Sequence, residues 1–222
     1  MSEHFAENKA RPVGFVLNPN AASAFGGRIL QAAHQYRHRN PLHIADGVSL
    51  YPDHMLRSHD TTRLVGSLRT LLLSDEDQAL VDIAKEKLLT TMPTDRAHDL
   101  SVSFLVGNFG DSSWHIDGPR GKRLLVNISE HLIALRNLRT WNSSDFCELN
   151  PDGSEGVAEI RALTNSESVH VSTIPYLPGR GVLIDNDQPF LSERLPHAGS
   201  TEATRVVMVA EALPISGQPH RA

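Results

Sequence analysis

From about residue 100 the chain breaks into short runs rich in β-branched and aliphatic residues: "LSVSFLVGNF", "KRLLVNIS", "AEIRALT", "SVHVSTIPYL", "GVLIDN" and "TRVVMVAEA". Turn-rich pieces, notably "NSSDFCELNPDGSEG" and "LPGRG", divide them. Many short strands punctuated by turns point to an antiparallel barrel or sandwich, with helices covering one outer face. The run "RVVMVAE" alternates poorly, as a strand buried on both faces does, yet it starts with a fixed cation.

The residues before 100 read differently. "SAFGGRILQAAHQYRH" follows a serine cap, and "DTTRLVGSLRTLLL" carries apolar residues three and four apart. In "SDEDQALVDIAKEKLLTTMP", Ser74 precedes an acidic first turn and Pro93 closes the end. Leu80, Ile83, Ala84 and Leu88 form the face expected to pack on a sheet. None of these helical segments holds a catalytic set. The expectation is therefore one domain over 1–222: a loose tail at 1–12, mainly helical support at 13–99 and the β core at 100–212.

Composition narrows the function. With 40% hydrophobic and 21% charged residues the chain is an ordinary globular protein able to bury a core. A net charge of -5 argues against a nucleic-acid partner, and the basic "QYRHRN" reads as a solvated surface. The lone Cys147 forms no intramolecular disulfide and is read as an inert thiol. "MSEHFAENKARP" has no apolar stretch of the secretory kind, and no run is long enough to span a bilayer. No membrane partner and a cytoplasmic location are expected; the oligomeric state stays open.

Chemistry concentrates in "SSWHIDGPRG", where His115 and Asp117 stand two apart before a Gly-Pro. At the end of a strand, positions two apart share a face, so both groups fall on one spot. Late in the chain "LPHAGSTEATRVVMVAEA" adds His197 before a turn and Arg205 at the start of a strong β run. Two imidazoles and a carboxylate make a facial triad that leaves three positions open on non-haem Fe(II). A closed structural zinc site would use four protein ligands, commonly thiolates, and the chain has one cysteine. With 12 histidines present, a His-x-Asp means little by itself. The order carries the weight: His-x-Asp, strands and loops, a histidine before a terminal strand, then an arginine.

The segments "WHIDGPRGKRLLVNIS", "YLPGRGVLIDN" and "PHAGSTEATRVVMVAEA" resemble the Fe(II)- and 2-oxoglutarate-dependent dioxygenases of the double-stranded β-helix fold, over about residues 100–212. The resemblance implies a mainly β, jelly-roll or cupin-like barrel with an N-terminal helical layer. It implies that His115, Asp117 and His197 bind iron and that Arg205 pairs with the distal carboxylate of 2-oxoglutarate, with O2 as the second co-substrate. An arginine offers a planar fork of donors that fits a carboxylate bidentately, where the bland alternative is a surface salt bridge worth about 0–1 kcal/mol.

Further candidates surround this set. If "KRLLVNIS" alternates, Arg123, Leu125, Asn127 and Ser129 share one face and Leu124, Val126 and Ile128 the other. A face bearing Arg, Asn and Ser suits either a wet barrel mouth or solvent, so Arg123 and Asn127 are substrate or co-substrate candidates only. Trp114 precedes the first ligand and reads as packing. Asn108 and Phe109 fall just before the site; Asn186, between Asp185 and Asp187, reads as a turn residue. The stretch 141–157 is the best candidate for a mobile lid.

The implied activity couples oxidative decarboxylation of 2-oxoglutarate to oxidation, by default hydroxylation, of a small molecule such as an amino acid or natural-product intermediate. Desaturation, epimerisation and ring closure use the same iron. Halogenation is set aside because Asp117 keeps its carboxylate. Two other classes stay open: a cupin-like isomerase or hydrolase that needs no 2-oxoglutarate, and a barrel acting only as a binding module.

Overall fold

A computed structural model describes residues 6–7, 10–39, 48–52, 70–92, 98–107, 115–117, 121–138, 140–141, 146–148, 157–160, 171–185, 190–193 and 205–214. In chain order these form β1 (Ala6–Glu7), β2 (Arg11–Phe15), α1 (Pro19–Arg39), β3 (Val48–Pro52), β4 (Thr70–Leu71), α2 (Asp75–Leu89), β5 (His98–Gly107), β6 (His115–Asp117), β7 (Lys122–Asn127) and β8 (Ile133–Leu138). There follow β9 (Thr140–Trp141), β10 (Phe146–Glu148), β11 (Val157–Ile160), β12 (Val171–Tyr176), β13 (Arg180–Asp185), β14 (Phe190–Glu193) and β15 (Arg205–Pro214).

Among the described residues the larger sheet runs β2-β13-β7-β15-β5-β3-β4 and the smaller β10-β11-β6-β14-β8-β12, while β1 and β9 pair separately. The pairings are antiparallel except β3 with β4. At the middle of the larger sheet, β15 pairs along its whole length with β5 and over 207–212 with β7. Its two faces are both buried, as its poor alternation implied. Val206, Met208, Ala210 and Ala212 join Leu124, Val126 and Ile128 in the core under the helices. Val207 and Val209 join Leu125, Val182 and Ile184, with Ile133 and Leu135 of β8, in the core between the sheets.

Helix α1 begins at Pro19, with Asn18 as its cap: the Asn18 Oδ1 accepts from the backbone N–H of Asn20 at 3.0 Å and of Ala21 at 3.4 Å. Proline suits a first helical position because its missing N–H has no helical partner there anyway. The expected serine cap, Ser23, instead lies inside the helix. Ala22, Phe25, Ile29 and Ala33 recur at helical spacing and are buried on the sheet. The Phe25 ring meets Phe104 of β5 edge-on, centroids 5.4 Å apart, a geometry worth about 0.5–1.5 kcal/mol beyond its buried area. Helix α2 is capped as expected, with the Ser74 hydroxyl accepting from Asp77 N at 3.2 Å. Its buried stripe is Asp77, Val81, Ala84 and Leu88, so Val81 takes the place expected of Ile83, which is 44% exposed. Arg28 of α1 ties the helices together: its Nε lies 3.0 Å from the Asp77 Oδ1 and its Nη2 donates to the same oxygen. The Asp77 hydrogen bond, foremost, holds the Arg28 guanidinium above its ordinary pKa.

The segment before residue 100 is less helical than expected. It supplies β2, β3 and β4 to the larger sheet, and Thr70–Leu71, read as helix, is strand. Ala6–Glu7 pairs with Thr140–Trp141 and Arg11 belongs to β2, so the expected loose tail contains paired backbone. Periodicity in "RLVGSLRTLLL" does not distinguish helix from strand once a neighbouring sheet edge offers hydrogen bonds to Thr70–Leu71. The remainder of 60–69 lies outside the described residues.

Candidate active site

Cross-strand register places the first two candidate ligands. In β8, Ile133 and Leu135 are buried between the sheets. Leu135 is opposite Ser192, Asn137 is opposite Phe190, and Phe190 is opposite His115. Directly opposed residues share a face, and so do positions two apart along one strand. Positions 115 and 117 therefore fall on the face of the smaller sheet that holds Leu135, turned toward the larger sheet.

Arg205 is on the corresponding inner face of the larger sheet, two and four residues before Val207 and Val209. It is 2% exposed and is among the largest fully buried side chains. In chain order the two positions follow one another through β5 and β14. Arg205 stands opposite Gly107, the last residue of β5, and the next strand begins at His115. β14 ends at Glu193 and the next described strand, β15, begins at Arg205. His197 belongs to that second connection and lies outside the described residues.

The start of β15 is held by an unusual partner. β7 pairs with β15 as far as Asn127 opposite Val207. One residue on, Ile128 N still donates to Val206 O at 3.1 Å. The Val206 N–H, however, donates to the Ser129 hydroxyl at 2.8 Å, and that hydroxyl donates back to Val206 O at 3.1 Å. Asn127 supports the turn: its Oδ1 accepts from Ser129 N at 2.8 Å and its Nδ2 donates to His131 O at 2.9 Å. Its backbone carbonyl accepts from Gly179 N at 2.8 Å. Gly179 has φ +78°, and a Cβ there would lie 2.4 Å from Leu17 O, so the "LPGRG" turn needs glycine at this point.

Arg123 shares the inner face but not the end. It donates through Nε to Glu211 Oε1 at 2.8 Å, with both side chains about one-fifth exposed. Glu211 is six residues along β15 from Arg205, about 20 Å at the rise of an extended strand. Asp185 lies 3.7 Å from Lys122, whose Nζ also donates to Thr91 O at the end of α2, at 3.3 Å. Asn108, Phe109, Trp114, Asn186 and Asp187 lie outside the described residues.

The stretch 141–157 is not all loop. Phe146–Glu148 pairs with β11, and β11 pairs with β6, so part of the expected lid is sheet beside the His-x-Asp strand. This register sets Glu159 directly opposite His115 and Val157 opposite Asp117. Sequence reading passed over Glu159, because nothing in "AEIRALT" distinguishes it from any strand glutamate; only pairing brings it beside position 115.

No protein-family model and no curated protein matches the chain. Solved structures of similar outline exist. AviO1 from Streptomyces viridochromogenes Tue57 is 16% identical over 96% of this chain and 93% of its own, with a TM-score of 0.48. EvdO2 from Micromonospora carbonacea var. aurantiaca, complexed with 2-oxoglutarate, is 13% identical over 97% and 91%, with a TM-score of 0.49. HygX from Streptomyces hygroscopicus, with nickel, 2-oxoglutarate and hygromycin B bound, is 12% identical over 95% and 84%, also at 0.49. These are likenesses of outline and assign no activity. No helix among the described residues is long and apolar enough to cross a membrane.

Proposed function

We propose that the chain is an Fe(II)- and 2-oxoglutarate-dependent oxygenase on a double-stranded β-helix, acting on a small molecule. Naming β5, β6, β7, β8, β12, β13, β14 and β15 one to eight gives 1-8-3-6 at the centre of the larger sheet and 2-7-4-5 in the smaller. That interleaving of two sheets by a single chain is what two nested antiparallel windings produce. What supports the reading is Arg205, buried at the start of β15 on the inner face of the larger sheet, together with a register that puts positions 115 and 117 on the inner face of the smaller one.

The donor set fits the metal. His115, Asp117 and His197 supply two imidazoles and a carboxylate, oxygen and nitrogen donors suited to Fe(II), and leave positions for 2-oxoglutarate and O2. When bound, iron supplies with these two co-substrates the oxidising chemistry, 2-oxoglutarate leaving as succinate and CO2. The chain's residues bind and orient. Arg205 offers its fork to the distal carboxylate of 2-oxoglutarate; as a buried cation it gains more from that partner than a surface arginine would. Val207, Val209, Leu125, Val182 and Ile184 form an apolar wall that keeps water from the inter-sheet space. Arg123, paired with Glu211 at the far end, holds the sheet together there, and Asn127 holds a turn; neither is assigned to substrate. Hydroxylation of an amino acid or natural-product intermediate is the reaction assigned.

The test is anaerobic reconstitution with Fe(II) followed by 2-oxoglutarate, watching for the visible metal-to-ligand charge-transfer band. The band is expected in the unaltered protein and lost in Arg205→Ala and His197→Ala. Stoichiometric iron without the band would overturn the reading in favour of a cupin-like metal enzyme that does not use 2-oxoglutarate.

A further inference from the structure

We infer that Ser129 is a positioning residue for Arg205, its hydroxyl taking the place of a missing backbone acceptor at the start of β15. The inference rests on the reading that Arg205 receives 2-oxoglutarate.

In a regular antiparallel ladder a hydrogen-bonded pair exchanges two bonds, N–H to C=O in each direction. Ile128 and Val206 make only half of this exchange: Ile128 N donates to Val206 O, while Val206 N turns to the Ser129 hydroxyl. The reason is visible in the helix layer that packs on the sheet. A Cβ on Gly26 of α1 would lie 1.6 Å from Ile128 O, so this carbonyl is set against the helix backbone. The helix thus occupies the space on the acceptor that β15 would otherwise use. Ser129, 2% exposed, fills the vacancy in the ladder and donates to Val206 O as well. Its own N–H is fixed by Asn127 Oδ1, and its carbonyl lies 3.5 Å from the Ser23 hydroxyl of α1.

The consequence falls on the neighbouring residue. Arg205 is the first residue of β15, opposite Gly107 of β5, and the β7 register ends two residues on, at Val207. Clamping both backbone groups of Val206 fixes the backbone immediately next to Arg205, from whose Cα the guanidinium-bearing side chain departs. A bidentate guanidinium contact depends on direction as well as distance, so loosening Val206 weakens carboxylate binding without touching the metal donors.

The experiment compares unaltered protein, Ser129→Ala, Ser129→Thr and Val81→Ala, each loaded anaerobically with Fe(II). Iron affinity, the 2-oxoglutarate Kd from the charge-transfer band, and Val206 amide hydrogen exchange are measured. Ser129→Ala is expected to raise the Kd roughly tenfold, the scale of one lost buried hydrogen bond, and to speed Val206 exchange, with iron affinity unchanged. Ser129→Thr, which keeps the hydroxyl, restores both. Val81→Ala loosens α2 in the core and leaves the Kd alone. If Ser129→Ala does not fold, Ser129→Cys keeps the volume with a poor acceptor and is expected to show the same rise. An unchanged Kd in Ser129→Ala, or an equal rise in Val81→Ala, overturns the positioning role. Absence of 2-oxoglutarate binding in the unaltered protein overturns the proposed function itself, a separate result.

Discussion

Replacing Gly26 with alanine probes the contact that places α1 against β7. The new Cβ would stand 1.6 Å from Ile128 O and 2.7 Å from Ile128 C, whereas such contacts essentially never fall below 3.0 Å. Helix and strand must separate by about 1.4 Å, the difference between those limits, and both offending atoms are backbone, so no rotamer change relieves them. The separation would loosen Ala22, Phe25 and Ile29, all buried against the sheet. Overpacking of this kind costs about 1–3 kcal/mol, with the backbone clash favouring the upper end. Alanine's better helix propensity returns about 1 kcal/mol. The net loss of about 1–2 kcal/mol corresponds to a Tm lower by about 2–8 °C for a chain of this size. Gly27 is the internal control, since a Cβ there meets nothing within 4 Å. Gly27→Ala keeps the propensity gain and is expected to raise stability by up to about 1 kcal/mol. Thermal and urea melts of the two variants read opposite signs. Equal shifts in the same direction would refute the close approach of α1 to Ile128.

Two ion pairs give further expectations. Arg123→Met leaves Glu211 half-buried without this partner and should cost about 1–3 kcal/mol in a urea melt, with Arg123→Met/Glu211→Leu recovering most of it. The 2-oxoglutarate Kd should stay unchanged in Arg123→Met, and a clear rise would return Arg123 to the ligand-binding set. Arg28→Ala removes a side chain that is 44% exposed but leaves the buried Asp77 without this partner, so its cost should be about 1–2 kcal/mol, and the part owed to the exposed guanidinium should shrink in high salt. Because Asp77 raises the Arg28 pKa, the pair's contribution is complete below the unfolded arginine value and is lost only above the folded one. The melt difference between Arg28→Ala and the unaltered protein should therefore be flat from about pH 6 to 9.

Sequence reading succeeded where a residue's signal is local. The Ser74 cap sits in its own first turn, and the runs at β5, β7, β12, β13 and β15 carry their β-branched content with them. It missed β8, because "IALRNL" carries Ala, Leu and Arg, which favour helix, and becomes a strand by pairing with β12 and β14. It placed the α1 cap at Ser23 rather than Asn18 for a related reason: several polar residues satisfy the capping pattern, and the Pro19 start decides among them.

The site divides along the same line. The spacing of His115 and Asp117 and the cation opening "RVVMVAE" are properties of the chain, readable because strand alternation has a fixed period of two. Which face those positions occupy is not local. It follows from the register Leu135–Ser192 and Phe190–His115, set by hydrogen bonds between strands far apart in sequence. The separation of Arg123 from Arg205 likewise depends on β15 running antiparallel beside β7, which sends two inner-face arginines to opposite ends of one sheet. The residue types and their intervals are determined by the sequence alone; the sheet faces they occupy are decided by tertiary structure, because inter-strand pairing and helix packing select one register from several that the same alternation allows.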